Sequence, residues 1–164
     1  MPFYIIIRGP LGCGKSTISE RLAKELGAKR ISIDRIVDNP KLVNQKWEEG
    51  YISQKSFFKA NEIAVKRVKD DLDKGKLIIF DGNFYWKSAI DDLISRLDYK
   101  HYVFTLKAPV EVCIDRDKNR NKTHGEDAAR AVYKKSTSFS YGNVINTERK
   151  TANETLKEIK RKLR

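Results

Sequence analysis

Apolar positions along the chain follow two rhythms. Short unbroken runs read as buried strands, and positions recurring every three to four residues read as helices. Tyr4-Ile5-Ile6-Ile7-Arg8 is the first such strand. Ile18, Leu22 and Leu26 then recur one turn apart, marking an amphipathic helix that Gly27 stops. Arg30-Ile31-Ser32-Ile33 reads as a short second strand ending at Asp34. From about Ser53 to Lys74, Phe57, Ala60, Ala64, Val68 and Leu72 share one face of a long helix closed by Gly75. Leu77-Ile78-Ile79-Phe80 is apolar without a break, the signature of a central strand. A helix over Ser88–Leu97 and a fourth strand over His101–Leu106 follow. Pro109 sits where a helix begins, and that helix runs into the charged stretch from Arg116 to Lys122. The pattern closes with a helix over Glu126–Lys135, a short strand at Asn143–Asn146, and a basic helix over Ala152–Leu163.

Strands that alternate with helices pair in parallel, because each parallel strand needs a crossover before the next. The expected fold is α/β: a three-layer α/β/α sandwich around about five parallel strands, the P-loop NTPase arrangement. Ligands of such sheets sit at the carboxyl ends of the strands. At 164 residues the chain fits one domain, 1–164, and no internal repeat or low-complexity linker divides it. The order of the strands is not encoded in this pattern.

Composition narrows the class. Hydrophobic residues at 40% and charged residues at 34% describe a globular chain rather than a disordered one. No apolar run approaches the roughly 18 residues of a membrane span, and Phe3–Ile7 is too short for a signal-peptide core. Cys13 and Cys113 lie in different elements without metal spacing, so reduced thiols in a cytoplasmic protein are expected. Lys and Arg outnumber Asp and Glu by 34 to 22, a net charge of +12. Such a balance favours polyanionic partners, namely nucleic acid, nucleotides or phosphorylated metabolites. A lysine-rich surface serving solubility is the plain alternative.

The chemistry is carried by Gly9-Pro10-Leu11-Gly12-Cys13-Gly14-Lys15-Ser16, a complete G-x-x-x-x-G-K-[ST] (Walker A) motif between a strand and a helix. Small residues let successive backbone N–H groups turn inward onto phosphate oxygens, and the helix start adds its positive end. Lys15 reaches the β and γ phosphates, and the Ser16 hydroxyl is a magnesium ligand. Thr17 is expected on the α phosphate. Cys13 fills a position for a small residue, so packing explains it more simply than redox control.

Two aspartates flank the loop. Asp34, placed across the crevice, is the candidate base for an attacking hydroxyl, with a turn-capping role as the alternative. Asp81, in Phe80-Asp81-Gly82-Asn83, is the candidate for holding the magnesium's water shell, with a plain Asp-Gly turn as the alternative. Asn83 faces the same crevice as a candidate acceptor ligand. Arg116 and Arg120, four residues apart, are candidates for neutralising the transferring phosphoryl, against the bland reading of a solvated charged face. His124-Gly125 reads as a hinge or turn, not a metal site. Phe84, Tyr85 and Trp86 are read either as base-stacking aromatics or as core.

Together these residues resemble the polynucleotide-kinase-like P-loop kinases, a branch of the nucleoside-monophosphate-kinase-related group that is similar also to shikimate, gluconate and zeta-toxin-type kinases. The resemblance spans Phe3 to about Lys135. It implies ATP and Mg2+ as cofactors, with Lys15 and Ser16 on the triphosphate and its metal. It further implies that Asp34 deprotonates the acceptor, that Arg116 and Arg120 clamp the donor from a lid around 116–130, and that Thr147–Arg149 lies beside the adenine. Polynucleotide kinases commonly carry an arginine three residues after the catalytic aspartate. Here that position is Val37, leaving Arg35 as the nearest candidate for the acceptor. Three functions stay open on this reading. The first is a kinase acting on a polynucleotide 5′-hydroxyl, the second a kinase for a small metabolite or nucleotide, and the third an ATP-hydrolysing switch. No membrane partner is expected, and the oligomeric state is not indicated.

Overall fold

The first strand shows how the layers arise. In β1 (Phe3–Arg8) side chains alternate, so Tyr4 and Ile6 enter one apolar cluster while Ile5 and Ile7 enter another. Both faces are therefore covered, and both covers are helical. The protein is described here by a computed structural model, covering residues 2–119 and 125–163.

On the Ile5 and Ile7 side lie α1 (Lys15–Leu26) and α7 (Ala152–Lys162), which contribute Ile18, Leu22, Leu156 and Ile159. On the Tyr4 and Ile6 side lie α3 (Gln54–Asp73) and α4 (Lys87–Arg96). The five residues expected on one face of α3, Phe57 to Leu72, are all buried there. Fully burying a Val, Leu or Phe side chain contributes roughly 1.5–3 kcal/mol, so this seam fixes α3 far more firmly than its cap. That cap is Ser53, whose side chain accepts from the Ser56 N–H.

The central sheet adds β2 (Lys29–Ser32), β5 (Ile78–Gly82), β6 (Lys100–Lys107) and β7 (Asn143–Asn146). Its order is β2-β5-β1-β6-β7, with every neighbouring pair parallel. The three-layer sandwich with five parallel strands is thus the observed fold. All carboxyl ends point to one edge, where the loop after β1 lies between its neighbours β5 and β6.

Two local expectations are corrected. Asp34 does not close the second strand, because β2 ends at Ser32 and α2 (Ile33–Val37) begins at once. The physical cause is Ser32, whose hydroxyl accepts from the Arg35 N–H and caps the helix. The chain between α2 and α3 also holds a hairpin, β3 (Trp47–Glu48) and β4 (Tyr51–Ile52), absent from the sequence reading. Its two-residue loop puts Glu49 and Gly50 at positive φ, the conformation that suits a tight hairpin. Two further helices, α5 (Val110–Lys118) and α6 (Glu126–Ser136), flank residues 120–124.

Candidate active site

The phosphate-loop motif runs from the end of β1 into the start of α1, which begins at Lys15. Gly14 precedes it in the left-handed region at φ 98°, where a Cβ would meet no atom within 4 Å. Gly12 is required for a different reason. A Cβ there would stand 2.0 Å from the Cys113 carbonyl oxygen, so the loop rests directly on the backbone of α5. Lys15 is buried, and its Nζ donates to the Pro10 carbonyl at 2.9 Å, which holds the cation inside the loop's own curve. Cys13 is buried, and both cysteines are free. Burial pushes the Cys113 thiol up to about 11, which keeps it protonated and unreactive.

The loop separates two cavities. The larger, of about 610 Å3, is lined by Lys15, Ser16, Asp34, Arg35, Asp81 and Asn83. In the first turn of α2, Asp34 reaches across to the end of β5, and the Asn83 N–H donates to its two carboxylate oxygens at 3.1 and 3.2 Å. Burial raises the Asp34 carboxyl to about 6, with Asp81 and Asp38 adding to the rise and Lys15 and the Asn83 N–H opposing it. A carboxylate titrating there is ionised at neutral pH yet basic enough to take a hydroxyl proton.

Asp81 lies within β5 rather than after it, paired in register with Ser32. Its Oδ2 accepts a short hydrogen bond from the Ser19 hydroxyl and another from Arg30 Nε at 2.5 Å. Arg30 also reaches Glu20 at 3.4 Å. The sequence reading did not single out Arg30, because its partner stands 51 residues away in another strand. Ser16 and Asp81 present hard oxygen donors to one cavity, a donor set suited to magnesium. Among the described residues no group of three or more His, Cys, Asp or Glu side chains forms a metal cage.

The second cavity, of about 270 Å3, lies on the other side of the loop and is lined in part by Gly14, Thr17, Arg116, Thr147 and Lys150. Thr147 opens the segment expected beside the adenine, and Lys150 follows that segment directly. Arg116 is held there, its Nη1 donating to the Thr147 hydroxyl at 3.1 Å and its Nη2 to the Thr147 carbonyl at 3.0 Å. The Thr147 hydroxyl in turn lies 3.3 Å from the Cys13 carbonyl. The expected pairing of Arg116 with Arg120 on one helical face is not described: α5 ends at Lys118, and Arg120 lies outside the described residues, as does His124.

Phe84 and Tyr85 are core, which removes them as stacking platforms for bases, and Trp86 is half-buried with its indole N–H on the Ile52 carbonyl at 2.7 Å. Among the described residues the large exposed aromatic is Trp47, on the hairpin. Arg8 was likewise not singled out. It is fully buried, with Nη2 donating to the Ser136 carbonyl at 2.7 Å, Nη1 to the Thr105 hydroxyl at 3.3 Å, and Phe139 stacked 4.3 Å from its guanidinium carbon. It has no carboxylate partner among the described residues, and burial brings its pKa down to about 10.

A family profile described as an AAA domain matches residues 5–139. The chain belongs to this AAA-domain family. The match covers both cavities' walls up to Phe139 and the whole phosphate loop. No curated protein matches the sequence. Solved structures with the same fold include a sugar kinase from Janibacter sp. HTCC2649, at 14% identity and TM-score 0.77, with 97% of this chain and 92% of that chain covered. A gluconokinase from Sinorhizobium meliloti 1021 follows at 15% and 0.72, covering 96% and 89%. A shikimate kinase from Acinetobacter baumannii, solved with shikimate, follows at 21% and 0.60, covering 99% and 95%. At such identities the likeness establishes the fold: a P-loop kinase architecture. Among the described residues no helix is long and apolar enough to cross a membrane.

Proposed function

We propose that the chain is an ATP-dependent phosphotransferase that moves the γ-phosphoryl group to a hydroxyl of a small metabolite. The observation that carries this reading is the shared cavity: the buried Lys15 and the raised carboxyl of Asp34 line one space beside the phosphate loop. The acceptor hydroxyl gives its proton to Asp34 as its oxygen bonds to the γ phosphorus. The bond from that phosphorus to the bridging oxygen of ADP breaks, and Lys15 neutralises charge on the oxygens involved. Ser16, with Asp81 assisting, would hold a magnesium ion, which would supply charge neutralisation on the donor phosphates. Arg116 and Thr147 would frame the nucleotide from the smaller cavity, and Asn83 and Arg35 would meet the acceptor.

Structures sharing the fold that carry sugar, gluconate and shikimate kinase names favour a small acceptor over a polynucleotide. The polynucleotide 5′-hydroxyl stays as a second reading because of the +12 charge. A transfer screen with γ-labelled ATP tests both: label on a sugar or polyol supports the first, label on a 5′-hydroxyl oligonucleotide supports the second. Release of free phosphate alone, whatever acceptor is added, would falsify the phosphotransferase reading.

A further inference from the structure

The acceptor cavity has a cationic annex. Beyond Ser32, on the flank of the edge strand β2, a second hollow of about 270 Å3 is lined by Arg30, Ser32, Arg35, Asn39 and Arg67. Arg30, Ser32, Arg35 and Asn39 also line the cavity that holds Asp34, so the two spaces share one wall. Their charges differ sharply. Glu20, Asp34, Asp38 and Asp81 line the larger cavity with its cations, whereas among the described residues no acidic side chain lines the annex.

Arg30 is already engaged by Asp81 and Glu20. Arg35 and Arg67 are different. Both are exposed, and neither has a carboxylate partner among the described residues. Arg35 follows Asp34 directly in α2, and Arg67 projects from α3, so two elements bring two unpaired guanidinium groups to one hollow. Unneutralised like charges repel, and a dianion between them removes that repulsion while accepting from both planar forks. A hydroxyl side chain and an amide side chain complete the donor set.

The geometry points to the annex as a phosphate subsite: the acceptor is a small hydroxyl compound that already carries a phosphate monoester, which Arg35 and Arg67 hold while its hydroxyl faces Asp34. This assignment rests on the phosphotransferase reading for the hydroxyl, but not for the anion. A monoanionic carboxylate would balance only one of the two guanidinium groups, so phosphate is the better match.

Two measurements decide it. In the first, inorganic phosphate is titrated calorimetrically into the whole protein and into Lys15→Ala, Arg35→Ala, Arg67→Ala and Lys157→Ala, the last on distant α7. The expected result is one site kept in Lys15→Ala and Lys157→Ala and weakened about tenfold or more in Arg35→Ala and Arg67→Ala. No binding to the wild type, or a loss that follows Lys15 alone, overturns the subsite. This arm involves no turnover, so it fails or succeeds independently of the kinase reading.

In the second, labelled ATP is offered with matched pairs, such as glycerol and glycerol 3-phosphate, or fructose and fructose 6-phosphate, together with gluconate and a 5′-hydroxyl oligonucleotide. Transfer to the phosphorylated members, with Arg67→Ala raising their KM about tenfold and sparing kcat, is the expected outcome. Transfer confined to unphosphorylated sugars, to the carboxylate or to the oligonucleotide overturns the assignment, and transfer to none of them overturns the acceptor role while phosphate binding still decides the subsite.

Discussion

The Asn83 N–H donates to both carboxylate oxygens of Asp34, tying the residue after β5 to the first turn of α2. The bond holds the carboxylate over the larger cavity while its burial raises the pKa to about 6. The free protein should therefore lose kcat/KM as pH falls through about 6, as Asp34 takes up a proton. Asp34→Asn should remove that limb and lower kcat by about 10²–10⁴-fold, with ATP affinity little changed. An unchanged acid limb in Asp34→Asn would assign the titration to another group.

The same shift has a stability sign. A carboxyl raised from 3.8 to about 6 on folding disfavours the ionised fold, so the penalty is absent below both values and full above about 6. Asp34→Asn should match the wild type in melting temperature at about pH 3 and exceed it at pH 7. Parallel melting curves across that window check the sign, and a variant less stable at pH 7 contradicts it.

Much of this was legible in the chain. The phosphate loop and the alternation of strands and helices are local patterns, and the long face of α3 came through with its five inward residues unchanged. What stayed hidden is nonlocal or very short. Strand order depends on which crossover packs where, and Arg30 acquires meaning only when β5 brings Asp81 beside it. The hairpin has two residues per strand, too few for periodicity, and only Glu49-Gly50 hinted at its turn. Asp34 was placed beside the loop but assigned to the wrong element, because Ser32 is a helix cap that also fits the end of a strand.

Lys15→Ala removes the ammonium that lies against the Pro10 carbonyl and faces the larger cavity. Turnover should fall by about 10²-fold or more, since charge on the transferring group loses its stabiliser. Circular dichroism and a melting temperature close to wild type should accompany that loss. Near-normal turnover in a folded variant would remove Lys15 from the proposed mechanism.

Asp81→Asn separates metal assistance from folding. It keeps an acceptor for Ser19 but leaves Arg30 with only the exposed Glu20 as a charge partner, a loss of about 2 kcal/mol once the partial exposure of Arg30 is allowed for. The magnesium concentration for half-maximal activity should rise as well. If Asp34→Asn shows the magnesium effect and Asp81→Asn the pH effect, the two roles are exchanged.

Arg116→Ala releases Thr147 from two hydrogen bonds at the mouth of the smaller cavity. The KM for ATP should rise about tenfold with a smaller change in kcat. A kcat effect that dominates instead would move Arg116 to the transferring phosphoryl, the task first expected of it.

Gly12→Ala tests how closely the loop is seated. The new methyl would meet the Cys113 carbonyl at 2.0 Å, in a residue at φ 78°, so the loop or α5 must move. A destabilisation of about 3 kcal/mol or more and a weakened response of the melting temperature to Mg·ATP are expected. Full stability would mean that α5 gives way freely.

Arg8 has a consequence for anyone who would engineer this protein. A guanidinium enclosed under the strand that enters the phosphate loop, with no carboxylate partner among the described residues, is a place where the resting fold is less stable than it could be. Methionine there would keep the length of the side chain and shed the buried cation. Thermostability selection applied without substrate would be drawn to such a replacement. The same replacement would strip the Ser136 carbonyl and the Thr105 hydroxyl of the donors that Arg8 gives them, so gain and cost fall on one codon.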